Sequence, residues 1–142
     1  MPDPLPAAPP SLAGLQQLIG PLFPGLMGVC LVEADARHIV ATLHVRPELC
    51  TSGAILHGGA VMAFADTLGA IGAYLNLPAG KRTTTIESST KFIGAAKVGS
   101  EVTGTTTPFH IGRSASVWQT QITSDQGRLC AVVTQTQLVL DA

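Results

Sequence analysis

The segment from Gly59 to Leu75 limits the possible folds of this chain more than any other. It reads as one long helix, closed by Asn76 and Pro78, with Val61, Met62, Phe64, Leu68, Ile71 and Leu75 set among Ala and Gly. A helix that is apolar nearly all round has no face to offer water and has to be covered. Asp66 is the single charged residue between Gly58 and Gly80. The cover must come from a membrane, from a sheet of the same chain, or from another copy of it.

The membrane is excluded first. A spanning helix needs about 18 to 20 nearly unbroken apolar residues. The best window, Ala54 to Leu77, is broken by His57 and Asp66 and carries Gly58, Gly59, Gly69 and Gly72. Charged residues make up only 12% of the chain, about half the usual share, and hydrophobic ones 46%. That is too apolar for disorder, and a net charge of −1 lacks the basic face of a general nucleic-acid binder. In a chain of 142 residues, so few charges point to surface hidden in an oligomer. The N-terminus has Pro2, Pro4, Pro6, Pro9 and Pro10 in place of a secretory signal. Residues 1–10 are therefore expected to be a Pro-rich disordered lead, and residues 11–142 one domain. Cys30, Cys50 and Cys130 are unclustered and suit the reducing cytoplasm as small core residues.

A sheet is available for the helix. After a short helix over Leu12 to Ile19, capped by Ser11 and stopped by Gly20, Pro21 and Pro24-Gly25, two strands are expected at Val29 to Ala34 and His38 to Val45. Four more follow the long helix: Thr83 to Phe92, Glu101 to His110, Ser114 to Thr123 and Leu129 to Leu140. Gly94, Gly99, Gly112 and Asp125-Gln126-Gly127 separate them, which favours antiparallel hairpins. The fold class is α+β: a long central helix against a curved antiparallel sheet of about six strands.

Two features of the helix bear on chemistry. Gly58 and Gly59 put free amide N–H groups, without side chains, at its positive end, which suits the oxygen of a carbonyl under attack. They also suit nothing more than a tight loop-to-helix turn. Asp66 has only Met62, Ala63, Gly69 and Ala70 at helical spacing, and none can pair with it. A carboxylate on a buried helix needs a nonlocal partner. It is either a structural group bonded to backbone across an interface or a general base or nucleophile. Seven residues separate Gly59 from Asp66, about 10 Å along the axis. One carbonyl cannot be polarised at the first and attacked from the second within the same chain. Two antiparallel copies related by a two-fold axis remove the difficulty, so a common reaction implies a dimer with shared sites.

His57-Gly58-Gly59, Asp66 nine residues after the His, and a later strand ending in Lys91-Phe92-Ile93-Gly94-Ala95-Ala96-Lys97-Val98-Gly99 resemble the hotdog-fold acyl-CoA thioesterases. The branch most similar is the phenylacetate-pathway, PaaI-type group, over about Leu15 to Leu140. The resemblance implies a hotdog fold, a homodimer with one continuous sheet, often a homotetramer of two dimers, and hydrolysis of acyl-CoA to free acid and CoA without metal or other cofactor. It implies that Gly58 polarises the thioester carbonyl and that Asp66 of the partner chain activates water or attacks. His57 would assist at the carbonyl, and Thr85 would supply the hydroxyl that holds the attacking water. Thr51 stands where the family often has Asn or Gln, and Gly94-Ala95 where it has Arg-Pro. Among the few cations, Lys81, Arg82, Lys97 and Arg113 are candidates for the CoA phosphates, with Arg113 at a hairpin foremost.

Gly59 and Thr51 are expected at the substrate, and Met62, Phe64 and Leu68 are expected to line its acyl pocket. His38, His44, His57 and His110 show no metal-ligand spacing, and no P-loop or GxGxxG is present. Trp118 reads as packing. Two alternatives are an acyl-CoA-binding domain without turnover and a hotdog hydratase or dehydratase.

Overall fold

The computed structural model describes residues 9–142. The Pro-rich lead expected over residues 1–10 thus lies outside the described residues, apart from the exposed Pro9 and Pro10.

Helix α1 spans Leu12–Ile19, as expected from its cap: the Gly14 N–H donates to Ser11 Oγ at 3.0 Å. The Pro24-Gly25 pair does not simply end a helix, however. It lies inside a second short helix, α2 (Phe23–Met27), where the proline occupies the first turn and needs no N–H. Gly28 closes α2 in the left-handed region at φ 91°, and the Arg46 guanidinium donates to the Leu26 and Met27 carbonyls.

Strands β1 (Cys30–Asp35) and β2 (His38–His44) form a hairpin, with Ile39, Ala41 and Leu43 of β2 buried as its alternation requires. The loop after β2 holds a 3₁₀ turn, Pro47–Leu49, and a miniature hairpin of β3 (Cys50–Thr51) and β4 (Ile55–Leu56). The long helix α3 spans Gly58–Tyr74, and the Asn76 amide donates to the Gly72 carbonyl near its end. The remaining strands are β5 (Lys81–Phe92), β6 (Glu101–Ile111), β7 (Ala115–Ser124) and β8 (Leu129–Asp141).

One six-stranded antiparallel sheet runs in the order β1-β2-β6-β7-β8-β5. The expected run of hairpins is therefore broken once: β5 pairs with β8, and β6 with β2. Residues 93–100 carry the chain across the end of the sheet. Ile93 and Gly94 donate to the Cys130 carbonyl, Val98 to Ala54, and Gly99 to Val45 with a φ of 85°. This crossing leaves β5 at an edge, with one side of its backbone unpaired among the described residues.

Helix α3 lies on the sheet and buries Val61, Phe64, Ala65, Leu68 and Ile71 against Ile39, Leu43, Val102, Ile122 and Val133. The approach is close because glycines permit it. A Cβ on Gly72 would come within 2.7 Å of Trp118, and one on Gly104 within 2.6 Å of Leu68. Trp118 is fully buried and donates to Ser116 Oγ at 2.8 Å, in keeping with a packing role. The chain does not cover its helix completely. Met62 and Tyr74 are exposed, and Ala63, Asp66 and Ala70 half-buried. No helix of the described residues is long and apolar enough to cross a membrane.

Candidate active site

The start of α3 is set by its own cap. His57 is extended, at φ −62° and ψ 138°, and its Nδ1 accepts the Gly59 N–H at 2.7 Å. In the neutral ring this leaves the proton on Nε2. The Gly58 N–H has no acceptor among the described residues. Gly58 sits against the Phe92 ring, which a Cβ would meet at 3.2 Å, and lines a cavity of about 390 Å³ with Thr51, Val61, Phe92 and Gly94. Thr51 and Gly58 are thus brought together in one cavity. Cys130 closes the same cavity, and burial pushes its thiol above the ordinary range, away from thiolate reactivity.

Asp66 finds its nonlocal partner in Thr85 of β5, whose hydroxyl donates to Oδ1 at 2.6 Å. The other carboxylate oxygen has no partner among the described residues. Behind Thr85 stand two glutamines of β8 that sequence reasoning missed. Gln137 Nε2 donates to Thr85 Oγ1 at 2.6 Å and to Gln135 Oε1 at 2.8 Å. Gln135 Nε2 in turn donates to the Ala65 carbonyl of α3 at 2.7 Å. Both glutamines are only 1% exposed. The signal was in the strand's alternation. Ala131, Val133, Gln135 and Gln137 fall on one face, so two amides occupy core positions and must be paired.

The amide of Gln135 reaches α3 only because residue 69 is glycine; a Cβ there would overlap it. Gly69→Ala should therefore destabilise the protein by about 2 kcal/mol or more, from overpacking and a displaced buried amide. Denaturant unfolding of the variant checks this, and an unchanged midpoint would contradict it.

Gly58 and Asp66 are eight residues apart on α3, about 12 Å along the axis. Within one chain they face different ends of β5, near Phe92 and Thr85 respectively. One turn along α3 from Asp66, at Ala70, begins the wall of an apolar cavity of about 350 Å³, completed by Leu15, Leu18, Leu22, Ile71 and Tyr74. A third, of about 590 Å³, lies between α2 and His57, Gly59 and Ala60.

The expected acyl lining needs correction. Phe64 and Leu68 are fully buried in the core and line none of these cavities, because the rotation of α3 is fixed by its packing on Gly104 and the sheet. Met62 is exposed on the open side of the helix. The cations divide between the two ends of the sheet. Lys81 pairs with Asp141, Arg82 donates to the Asp141 carbonyl at 3.0 Å, and Arg113 is exposed on the β6–β7 hairpin. Lys97 lies at the other end, lining a small cavity with Arg128. Among the described residues no group of three His, Cys, Asp or Glu could hold a metal.

Comparison with known proteins bears on this geometry. The profile of the Thioesterase superfamily matches residues 53–131, which include Gly58, Asp66 and Thr85. The 1,4-dihydroxy-2-naphthoyl-CoA hydrolase of Escherichia coli is 30% identical over 100 residues, 70% of this chain and 73% of that protein. The crystal structure of a thioesterase from Haemophilus influenzae matches with a TM-score of 0.86 at 27% identity, covering 92% of this chain and 91% of that one. The PaaI protein of the Escherichia coli phenylacetic acid degradation operon shares the fold, with a TM-score of 0.77 at 19% identity over 84% of each chain.

Proposed function

The chain belongs to the thioesterase superfamily, and from that premise we propose that it hydrolyses acyl-CoA thioesters to free acid and CoA at a site completed by a second copy of itself. The observation that carries this reading is Asp66. It is a half-buried carboxylate on the uncovered side of α3, held at one oxygen by Thr85 and open at the other. Such a group is positioned to work on a substrate. The CoA-ester substrate is supported by the hydrolase relative.

The exposed strip of α3 and the unpaired edge of β5, with Ile86 58% and Phe92 59% exposed, support dimerisation there. Two β5 edges paired about a two-fold axis would join the sheets and set Asp66 of one protomer opposite Gly58 of the other. A tetramer of two such dimers is the further assembly we propose.

In this arrangement the thioester oxygen accepts the Gly58 N–H of one protomer, with His57 Nε2 beside it as a second donor. Asp66 of the other protomer takes a proton from water as the water oxygen attacks the carbonyl carbon, or attacks directly to give an anhydride that water then opens. Collapse breaks the C–S bond, and the CoA sulfur leaves and takes up the proton. The apolar cavity one turn along α3 from Asp66 takes the acyl group in place of a Phe64–Leu68 lining, with Met62 on the exposed strip of the helix still able to meet it. Its walls suit small to medium aliphatic or aromatic acids. Arg113, exposed and unpaired among the described residues, is the proposed phosphate contact, with Arg82 at the same end. CoA enters and leaves as substrate and product, and the chemistry proposed draws on no metal or resident cofactor. Three free thiols suit a cytoplasmic setting, and residues 11–142 act as one domain.

The test is thiol release from a panel of straight-chain and aromatic acyl-CoAs. The expected outcome is kcat/KM of about 10⁴ M⁻¹ s⁻¹ or more for the preferred esters. Binding of the same panel without thiol release would favour a noncatalytic acyl-CoA-binding domain. Water addition to an enoyl ester with CoA retained would favour a hydratase.

A further inference from the structure

We infer that Gln137 is a positioning residue for Asp66: it fixes the direction of the Thr85 hydroxyl so that the one proton of that hydroxyl lies on the carboxylate. The inference rests on the reading of Asp66 as the catalytic group, and it gives Thr85 a different task from holding the attacking water.

The direction of every bond in the chain follows from its far end. The Ala65 carbonyl can only accept, so Gln135 must turn its Nε2 toward it, at 2.7 Å. That leaves Gln135 Oε1 facing Gln137, which must answer with Nε2, at 2.8 Å. The second hydrogen of the same nitrogen then points at Thr85 Oγ1, at 2.6 Å. On its other side, Gln137 Oε1 and the Leu138 carbonyl each lie 3.1 Å from the Thr83 hydroxyl and share its one proton. Turning either amide over would set two acceptors face to face. Both glutamines are 1% exposed, so water cannot substitute for a missing partner.

Thr85 Oγ1 thus receives a hydrogen bond from Gln137 and has its own proton left to give, which goes to Asp66 Oδ1 at 2.6 Å. A hydroxyl with one proton cannot donate to Asp66 and to a water together. Gln137 therefore acts through Thr85 to engage Oδ1 and leave the other oxygen for the reaction.

Among the described residues no charged group pairs with Asp66. Lys81, Arg82 and Glu87 flank Thr85 on β5, and Asp141 ends β8. Lys81 is paired with Asp141, Arg82 with backbone, and none of the four pairs with Asp66. Helices α1 and α2 and strand β7 carry no titratable side chain.

The experiment compares wild type, Gln137→Met, Thr85→Val and the double variant. It follows the Thr85 hydroxyl proton by NMR, which is independent of turnover, alongside kcat and KM. That proton should give a slowly exchanging signal in the wild type, and Gln137→Met should shift or broaden it and lower kcat about three- to tenfold, with KM unchanged within about twofold. Added to Thr85→Val, Gln137→Met should lower kcat no further. The Gln137 side-chain amide signals should shift between wild type and Asp66→Asn, and cease to do so when Thr85→Val is present in both, a readout that needs no folded Gln137 variant.

The inference is overturned if Gln137→Met keeps the Thr85 hydroxyl signal and turns over like wild type, if its effect persists undiminished beside Thr85→Val, or if the Gln137 amide signals ignore Asp66→Asn. A wild type that releases no thiol, yet shows the Gln137 amide responding to Asp66→Asn through Thr85, would overturn the thioesterase reading and support the coupling. An active wild type without that response would do the reverse.

Discussion

Replacing Asp66 with Asn should lower kcat by about three orders of magnitude or more while the protein stays folded and assembled. The substitution is nearly isosteric. The Asn carbonyl oxygen can still accept the Thr85 hydroxyl that the carboxylate accepts at 2.6 Å, so the buried network loses no partner. What disappears is the ability to take a proton from water or to attack a thioester. Asp66→Ala is the harsher variant, because it leaves the Thr85 hydroxyl without its acceptor and confuses lost chemistry with lost packing. Single-turnover thiol release, with thermal unfolding and sedimentation as controls, separates the two. Near wild-type turnover in a folded Asp66→Asn protein would remove this residue from the mechanism.

The second large effect is expected at Gly58. A backbone donor can be deleted only by removing its N–H, and this position allows that. Gly58 is the first residue of α3, where proline is well accepted, and His57 before it is already extended at φ −62° and ψ 138°, as a residue preceding proline must be. Gly58→Pro should thus leave the helix intact and cost about 10²- to 10³-fold in kcat, the range found for loss of one oxyanion donor. Gly58→Ala controls for added bulk. Its Cβ would meet the edge of the Phe92 ring at 3.2 Å while the N–H stays, and a loss of less than about tenfold is expected. Equal damage from the two variants would mean that side-chain volume, and not the amide, matters at this position.

These residues were legible in the sequence to different degrees, for physical reasons. Helices α1 and α3 were readable within a residue because their end signals, the Ser11 cap of one and the Gly58-Gly59 entry and Asn76-Pro78 stop of the other, are local. The alternation of β2 was readable for the same reason. The pairing of β5 with β8 was not, since Gly94 and Gly99 mark where a strand ends but not where the chain lands. Helix α2 was missed because proline and glycine together read as a stop, although proline fits a first turn.

At the site, Asp66 stood out because nothing near it in sequence could pair with it, which required a partner from elsewhere. Thr85 came from the family resemblance and not from any local pattern. Phe64 and Leu68 were misplaced because a helix apolar all round does not announce which side meets the sheet. Only contact with Gly104 and the β-strands decides its rotation. Gln135 and Gln137 were overlooked although the alternation of β8 places them on the buried face.

If each site takes Gly58 from one protomer and Asp66 from another, two inactive variants should restore activity when mixed. Asp66→Asn and Gly58→Pro chains are combined by co-expression, or by unfolding and refolding together, and thiol release is measured per subunit. Each mixed dimer then holds one site with both groups intact and one with neither. Random assortment in equal amounts should recover about one quarter of the wild-type rate, far above either variant alone. Activity no greater than the sum of the two separate variants, in a preparation shown to contain mixed dimers, would contradict the shared site.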